Sequence, residues 1–264
     1  MKKILVTNDD GIYARGLWAL VTELKKISEV IVVAPDREQS AIGTALTLHH
    51  PLRVQKVKPE ISDVEAYALS GTPGDCVIMA ISNLAKNGIG LVISGINNGP
   101  NTGDDVFISG TVGGAMQAYW HGHSTIAVSL SEVDSKYIDN AARFTTFLVD
   151  RLNFLPKAQK YFLNVNIPSV PVQKIKGIEI THLSTTGYCD TVEEGYDGRR
   201  HYYWLKHQKT TRSVSRQTDA WAINRNNISI TPLHSQLFGK SRPVLNGNVT
   251  ELLEQFKAKQ GSVD

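Results

Sequence analysis

The sequence predicts an α/β fold, a mostly parallel sheet with helices on both faces, followed by a β-rich C-terminal extension. Short β-branched and leucine runs without polar alternation recur along the first 170 residues, as in strands buried on both faces. Stretches with helical spacing of apolar residues separate them, and strand–helix alternation builds parallel sheets. Past Pro171 the helical spacing gives way to strands bounded by turns. The expected division is a core over residues 1–170 and, over 171–264, a β-rich extension with a terminal helix that serves oligomerisation.

The first run, Ile4 to Val6, is a short buried strand stopped by Asn8-Asp9-Asp10-Gly11. Open α/β sheets bind ligands at the carboxyl ends of their strands, where these adjacent carboxylates fall. Their mutual repulsion raises one pKa unless a counter-charge intervenes, and a hard divalent cation is the simplest. Asn, Asp and Gly are also turn formers, so the four residues alone fit a simple loop equally well. Leu17, Leu20, Val21, Leu24 and Ile27 mark a crossover helix, and Val30 to Ala34 a second strand, completing a right-handed βαβ unit. The loop from Asp36 to Ser40 then emerges on the same sheet edge as Asp9 and Asp10, within reach of a shared site.

Thr44 to Val57, interrupted by Pro51, reads as an extended excursion or hairpin, and Tyr67 to Leu69 as a strand. Thr72 as N-cap and Pro73 at the first position start a helix whose apolar face is Cys76, Val77, Met79, Ala80, Ile81 and Leu84. Leu91 to Ile93 is the next buried strand. A polar, glycine-rich stretch follows from Ser94 through Asn97 and Asn101 to Asp105, and its backbone can approach a ligand closely. Ser109, Gly110 and Thr111 open a further helix, and hydroxyls with free amides at a helix N-terminus suit a phosphate. The spacing is not that of a P-loop, and no G-x-G-x-x-G follows the first strand, which disfavours a nucleotide bound by either fingerprint. Thr125 to Leu130 is a strand, Tyr137 to Leu152 an amphipathic helix, and Tyr161 to Ile167 a strand closed by Pro168.

In the extension, Ile178 to Thr181, Arg199 to Leu205 and Ile228 to Thr231 read as strands without helices between them, with turns at Gly187, Gly195 and Gly198. The basic, aromatic Arg199–Trp204 stretch suits either an edge or interface strand, the favoured reading, or an RNA-stacking surface. Val249, Leu252, Leu253 and Phe256 form a terminal helix. His121 and His123, beside Gly122, fit a helix C-cap better than a metal pair.

The chain has 264 residues, 41% of them apolar and 20% charged, as in a soluble globular protein with one large domain or a domain plus an extension. The net charge of +3 is too small to argue for a nucleic-acid partner and is compatible with a small anionic substrate. Two cysteines, Cys76 and Cys189, argue against a disulfide scaffold and for a reducing compartment. The N-terminal apolar run is too short for a signal peptide, and no run approaches the roughly 18–20 apolar residues of a membrane span. A cytoplasmic protein with no membrane association is expected.

Together, N-D-D-G at 8–11, A-P-D-R-E-Q-S at 34–40, S-G-T-P-G-D-C-V at 70–77, S-G-I-N-N-G-P-N-T-G-D-D-V at 94–106, S-G-T-V at 109–112 and S-I-T-P-L at 229–233 resemble the SurE (survival protein E) nucleotidases. The resemblance implies a Rossmann-like core, a C-terminal part exchanged between subunits in a homodimer or homotetramer, and hydrolysis of nucleoside 5′- and 3′-monophosphates. It places the metal ligands at Asp9, Asp10, Ser40 and Asn97, and the phosphate-binding segment at Asn101, Ser109, Gly110 and Thr111. Gly74, where alanine or threonine is more usual, and the stretch from Leu183 to Glu194, which lacks the family's arginine-rich pattern, bear on substrate preference and oligomer contacts.

An all-oxygen set of two carboxylates, a hydroxyl and an amide suits one Mg2+ or Mn2+ per subunit. Asp9 is then placed to orient or deprotonate the attacking water, and Ser109 to Thr111 to stabilise charge on the phosphoryl oxygens. A stable nucleic-acid partner is not expected. Two alternatives stay open. In one, a haloacid-dehalogenase-type phosphatase uses an aspartate nucleophile, for which Asn8-Asp9-Asp10-Gly11 lacks the first acid and Asp104-Asp105 would be the later pair. In the other, a nucleotide- or RNA-binding module has no turnover.

Overall fold

The computed structural model describes residues 3–59, 61–85, 88–133, 136–152, 160–185, 190–206 and 214–234. The compact unit Met1–Leu233 is built on a nine-stranded sheet; of the second unit, His234–Asp264, only His234 is described. The strands are β1 (Lys3–Thr7), β2 (Val30–Pro35), β3 (Val54–Val57), β4 (Glu65–Leu69), β5 (Ile89–Asn97), β6 (Ser124–Leu130), β7 (Phe162–Ile167), β8 (Gly177–Ile180) and β11 (Asn227–Pro232). A separate two-stranded ribbon holds β9 (Thr191–Tyr196) and β10 (His201–Lys206). The helices are α1 (Arg15–Leu24), α2 (Pro73–Met79), α3 (Asp105–Ile108), α4 (Gly110–Trp120), α5 (Ile138–Leu152) and α6 (Asp219–Asn224).

Strand order across the sheet is β3-β4-β2-β1-β5-β6-β7-β11-β8. Pairing is parallel except at β3–β4 and β7–β11, so this is the mostly parallel α/β fold expected. β1 lies between β2 and β5, with Ile4 opposite Val30 and Thr7 opposite Ser94. Succeeding strands are laid to one side of β1 through β2 and to the other through β5. The order therefore reverses at β1, and the crevice at its carboxyl end is where ligands of such sheets bind.

Both faces are covered. On one, Leu17, Leu20, Val21 and Leu24 of α1 and Ala141, Ala142 and Val149 of α5 pack on Ile4, Val6, Val32 and Ile93. On the other, Cys76 and Val77 of α2, with Ala118 of α4, pack on Leu5, Ile31, Val33 and Val92. Burial on both faces explains why the central strands read as unbroken apolar runs. Thr72 is the N-cap of α2 and Pro73 its first residue, as anticipated, and Asp75 completes a capping box by accepting from the Thr72 N–H at 2.9 Å.

Three local expectations are corrected. β5 does not stop at Ile93 but runs through Asn97, because Ser94 pairs with Thr7 and Ala127, and Asn97 with Ser129. Gly95 keeps the strand close to its neighbour: a Cβ there would stand 2.4 Å from the Val128 carbonyl oxygen. Gly195 is a ribbon residue rather than a turn, since its missing side chain makes room for the Tyr202 ring. The stretch beyond Pro171 is not helix-free: α6 follows the ribbon, capped by Thr218 accepting from the Trp221 N–H at 3.3 Å. The excursion from Thr44 to Val57 contains no helix, as expected, and its last four residues form β3, antiparallel to β4.

β8 and β11 complete the main sheet, whereas β9 and β10 stand apart from it. Cys76 is buried and unpaired, as expected. Cys189, Gly187 and the expected terminal helix with Val249, Leu252, Leu253 and Phe256 lie outside the described residues. Among the described residues no helix is long and apolar enough to cross a membrane.

Candidate active site

At the carboxyl end of β1, Asn8 is buried and donates its amide N–H to the Gly11 carbonyl at 3.0 Å, closing the turn that presents the two acids. Gly11 takes φ +96, and a Cβ there would approach the Arg37 backbone at 3.1 Å, so the turn needs glycine both for its conformation and for its space. The Gln39 N–H donates to the Asp9 carbonyl at 2.7 Å, tying the loop after β2 to the same turn.

Asp9 is 4% exposed. Burial pushes its carboxyl above the usual range, opposed by the Thr111 hydroxyl and amide, which both donate to it. Asp10 is raised to about 7, first by burial and then by the charge on Asp9, while the Asn98 N–H works in the opposite direction. Glu38, which sequence reasoning passed over, adds repulsion to both. No ion pair between either acid and a basic side chain is found among the described residues. Two adjacent acids, with weaker repulsion from Glu38, thus lack a paired basic side chain among the described residues, a deficit that a divalent metal would fill.

Ser40, in the loop that Gln39 ties to Asp9, and Asn97, at the end of the strand beside β1, lie at the same edge of the sheet. Ser40 donates its hydroxyl to Glu38 Oε1 at 2.6 Å, which leaves its oxygen lone pairs free for a cation. Asn97 ends β5 and donates its amide nitrogen to the Gly99 carbonyl at 2.7 Å, so its Oδ1 is the atom left for coordination. No cluster of three His, Cys, Asp or Glu side chains that could hold a metal is found among the described residues. The set reaches four donors only with hydroxyl and amide oxygens, a composition that fits Mg2+ or Mn2+ and not a thiolate-seeking metal.

The N-terminus of α4 packs directly on Asp9. A Cβ on Gly110 would stand 2.7 Å from Asp9 Cβ and 2.9 Å from Oδ2. Ser109 is the N-cap and accepts from the Val112 N–H at 3.1 Å. Thr111 spends its hydroxyl and its amide on Asp9, so this helix end holds a carboxylate as well as offering the Gly110 amide, which has no carbonyl one turn back to receive it. His121 is the C-cap at the far end, its Nδ1 2.8 Å from the Gln117 carbonyl.

Asn101 is held differently. Its backbone N–H donates to Asn166 Oδ1 at 2.9 Å, its carbonyl accepts from Asn164 and Asn166 at 2.8 and 2.9 Å, and its side-chain nitrogen donates to Ser129 Oγ at 2.9 Å. Asn164, Asn166 and Ser129 escape sequence reading because they are polar residues inside strands, where only tertiary contact reveals their partners. Asn8 itself bears on the haloacid-dehalogenase alternative: an amide fixed in the turn occupies the position where that chemistry needs an attacking carboxylate.

Residues 4–190 match the family described as survival protein SurE. The 5′-nucleotidase SurE of Dehalococcoides mccartyi strain CBDB1 is 48% identical over 238 residues, covering 89% of this chain and 90% of that protein. The 5′-nucleotidase SurE of Alkaliphilus metalliredigens is 41% identical over 237 residues, covering 89% of this chain and 93% of its own length. The crystal structure of the SurE protein from Aquifex aeolicus superposes with a TM-score of 0.76 at 32% identity, covering 98% of this chain and 99% of that one.

Proposed function

The chain belongs to the SurE family, and from that premise we propose that this 5′-nucleotidase is metal-dependent, hydrolysing nucleoside 5′- and 3′-monophosphates to nucleoside and phosphate with one Mg2+ or Mn2+ held by Asp9, Asp10, Ser40 and Asn97. The observation that supports this most is electrostatic: a buried Asp9 beside Asp10 and Glu38, with no basic side chain paired to either aspartate among the described residues. Such a cation would polarise the phosphoryl group and the attacking water.

The protein's own residues do the rest. Thr111 orients the Asp9 carboxylate from the N-terminus of α4, and Asp9 in turn orients the attacking water or accepts its proton. The phosphate-binding segment is Asn101 with Ser109, Gly110 and Thr111: the first three supply the donors, Thr111 acts through the Asp9 it holds, and the α4 dipole favours the negative charge. Asn101, immobilised by Asn164, Asn166 and Ser129, loses little further entropy on binding. The expected compartment is the cytoplasm, in keeping with a buried, unpaired Cys76.

A phosphate-release assay with 5′- and 3′-adenosine monophosphate, run with Mn2+, with Mg2+ and with chelator, tests the proposal. Release from both isomers that chelation abolishes is expected. Release undiminished by exhaustive chelation would overturn the metal assignment, and no release under any condition would favour a binding role.

The ribbon supports self-association as a homodimer or homotetramer. Val192, Leu205, Tyr196 and Tyr203 share one of its faces and are each at least half exposed, and an isolated two-stranded ribbon is marginal in water. Leu205→Glu is expected to lower the assembly state in sedimentation velocity without changing the melting of the Met1–Leu233 unit. An unchanged sedimentation coefficient would remove the ribbon from the interface.

A further inference from the structure

Asp219 is a carboxylate that the proposed reaction does not use. It is fully buried at the first position of α6, on the chain that returns after the ribbon. It has no ion-pair partner among the described residues and is satisfied instead by three backbone donors. Oδ1 accepts from the Ser184 N–H at 2.9 Å and the Ala220 N–H at 2.7 Å, and Oδ2 accepts from the Gly103 N–H at 2.7 Å. The Gly103 bond spans 116 residues of sequence and lands in the glycine-rich loop after β5.

That loop has two reasons to need a fastening. Gly99 and Gly103 both adopt positive φ, +130 and +57, and such residues lose more conformational freedom on ordering than any other. The loop also connects two halves of the site. Asn97 precedes it, Asn101 lies within it, and the Asp105 and Val106 amides turn back on Thr102 and Gly103 to start α3, which delivers Ser109 and Gly110. Asn164, Asn166 and Ser129 fix the Asn101 side. The Gly103 side hangs on Asp219.

We propose that Asp219 is a positioning residue for substrate phosphate, its carboxylate clamping the Gly103 amide so that Asn101 and the N-terminus of α4 keep the spacing that phosphate binding requires. This rests on the nucleotidase reading and extends it: the segment after the ribbon sets the substrate affinity of a site built from the first half of the chain. Two opposed acceptors are needed, which explains the residue type. Asparagine has one carbonyl oxygen, so it can serve either the Ser184–Ala220 pair or Gly103, and it turns its NH2 toward the donor it abandons.

The test compares Asp219→Asn with Thr218→Ala, which removes the α6 cap and the hydroxyl's bond to the Ser215 carbonyl but leaves the Asp219 carboxylate in place, and with Asp219→Glu, which keeps both acceptors on a longer arm. The readouts are KM and kcat for adenosine monophosphate in saturating Mn2+, and amide hydrogen exchange of the 101–106 segment. Leaving a buried donor unsatisfied should raise the KM of Asp219→Asn about tenfold and speed exchange in that segment by a similar factor. Thr218→Ala should change neither, whatever its melting temperature, and Asp219→Glu should fall between. Asp219→Glu is scored by the same two criteria, so the test does not depend on Asp219→Asn folding.

A KM within about twofold of wild type in both Asp219 variants overturns the clamp's role in substrate binding, whether exchange is faster or not. A KM that rises equally in Thr218→Ala also overturns it, by tracing the effect to α6 as a whole. Absence of hydrolysis by the wild-type protein overturns the nucleotidase reading instead.

Discussion

Asp9→Asn should lose at least about a thousandfold in kcat/KM, roughly 4 kcal/mol of transition-state stabilisation, while melting no lower than the metal-free wild type. The two halves of this expectation have one cause. Asp9 is buried against Asp10 and Glu38, and its carboxyl is raised because the folded protein resists ionising it. An amide of the same shape leaves no cavity, still accepts from Thr111, and removes a charge that the metal-free fold holds at a cost. It also removes the repulsion that helps raise Asp10. The variant therefore keeps or gains stability and loses the second carboxylate on which cation binding depends. Phosphate release under saturating Mn2+ checks the first half, and thermal denaturation in chelator and in excess Mn2+ the second. The wild type should gain stability with Mn2+ by mass action, and Asp9→Asn should gain little. Near-wild-type turnover of the variant would remove Asp9 from the chemistry; a large fall in its metal-free melting temperature would mean that the carboxylate supports the fold.

The parts of this architecture legible in the sequence share a physical origin. Strands buried on both faces need unbroken apolar runs, so β1, β2 and β6 are visible without a structure, and the alternation with α1 and α5 dictates parallel pairing. Thr72-Pro73 and Ser109 are visible as helix starts because capping is a local interaction. Asp9 and Asp10 stand out because two adjacent acids at a strand end need a counter-charge.

What stayed hidden is non-local. The last four residues of β5 look like loop because serine and glycine carry no strand signal; only the partners Thr7 and Ala127 make them strand. α6 is six residues long, too short for helical periodicity to register, and Asp219 reads as a cap residue until Gly103 is seen against it. The asparagines of β7 look like breaks in an apolar run, yet they immobilise Asn101. Glu38 lies within A-P-D-R-E-Q-S and carries no local signal of its own, since its effect on Asp9 and Asp10 depends on how the loop after β2 folds back.

Mn2+ affinity should fall steeply with acidity, on the order of 90-fold between pH 8 and pH 5, because Asp10 must shed its proton before it can coordinate. Its folded pKa of about 7 lies above the model-peptide value of 3.8. The folded metal-free protein consequently holds a proton that the unfolded chain releases, and from pH 4 upward this pair contributes less and less stability until the proton is gone above pH 7. Cation binding runs opposite: the protonated site competes below pH 7, the ionised site does not above it, so stabilisation by Mn2+ should be largest where the metal-free protein is weakest. With its pKa of about 7, Asp10 alone should release close to one proton per cation at pH 6, and Asp9, raised as well, can only add to that. Calorimetric titrations in two buffers of different ionisation enthalpy measure that number directly. A release near zero at pH 6 in the wild type would mean that the two acids are already ionised without metal, and the counter-charge argument for a cation at this strand end would fail with it.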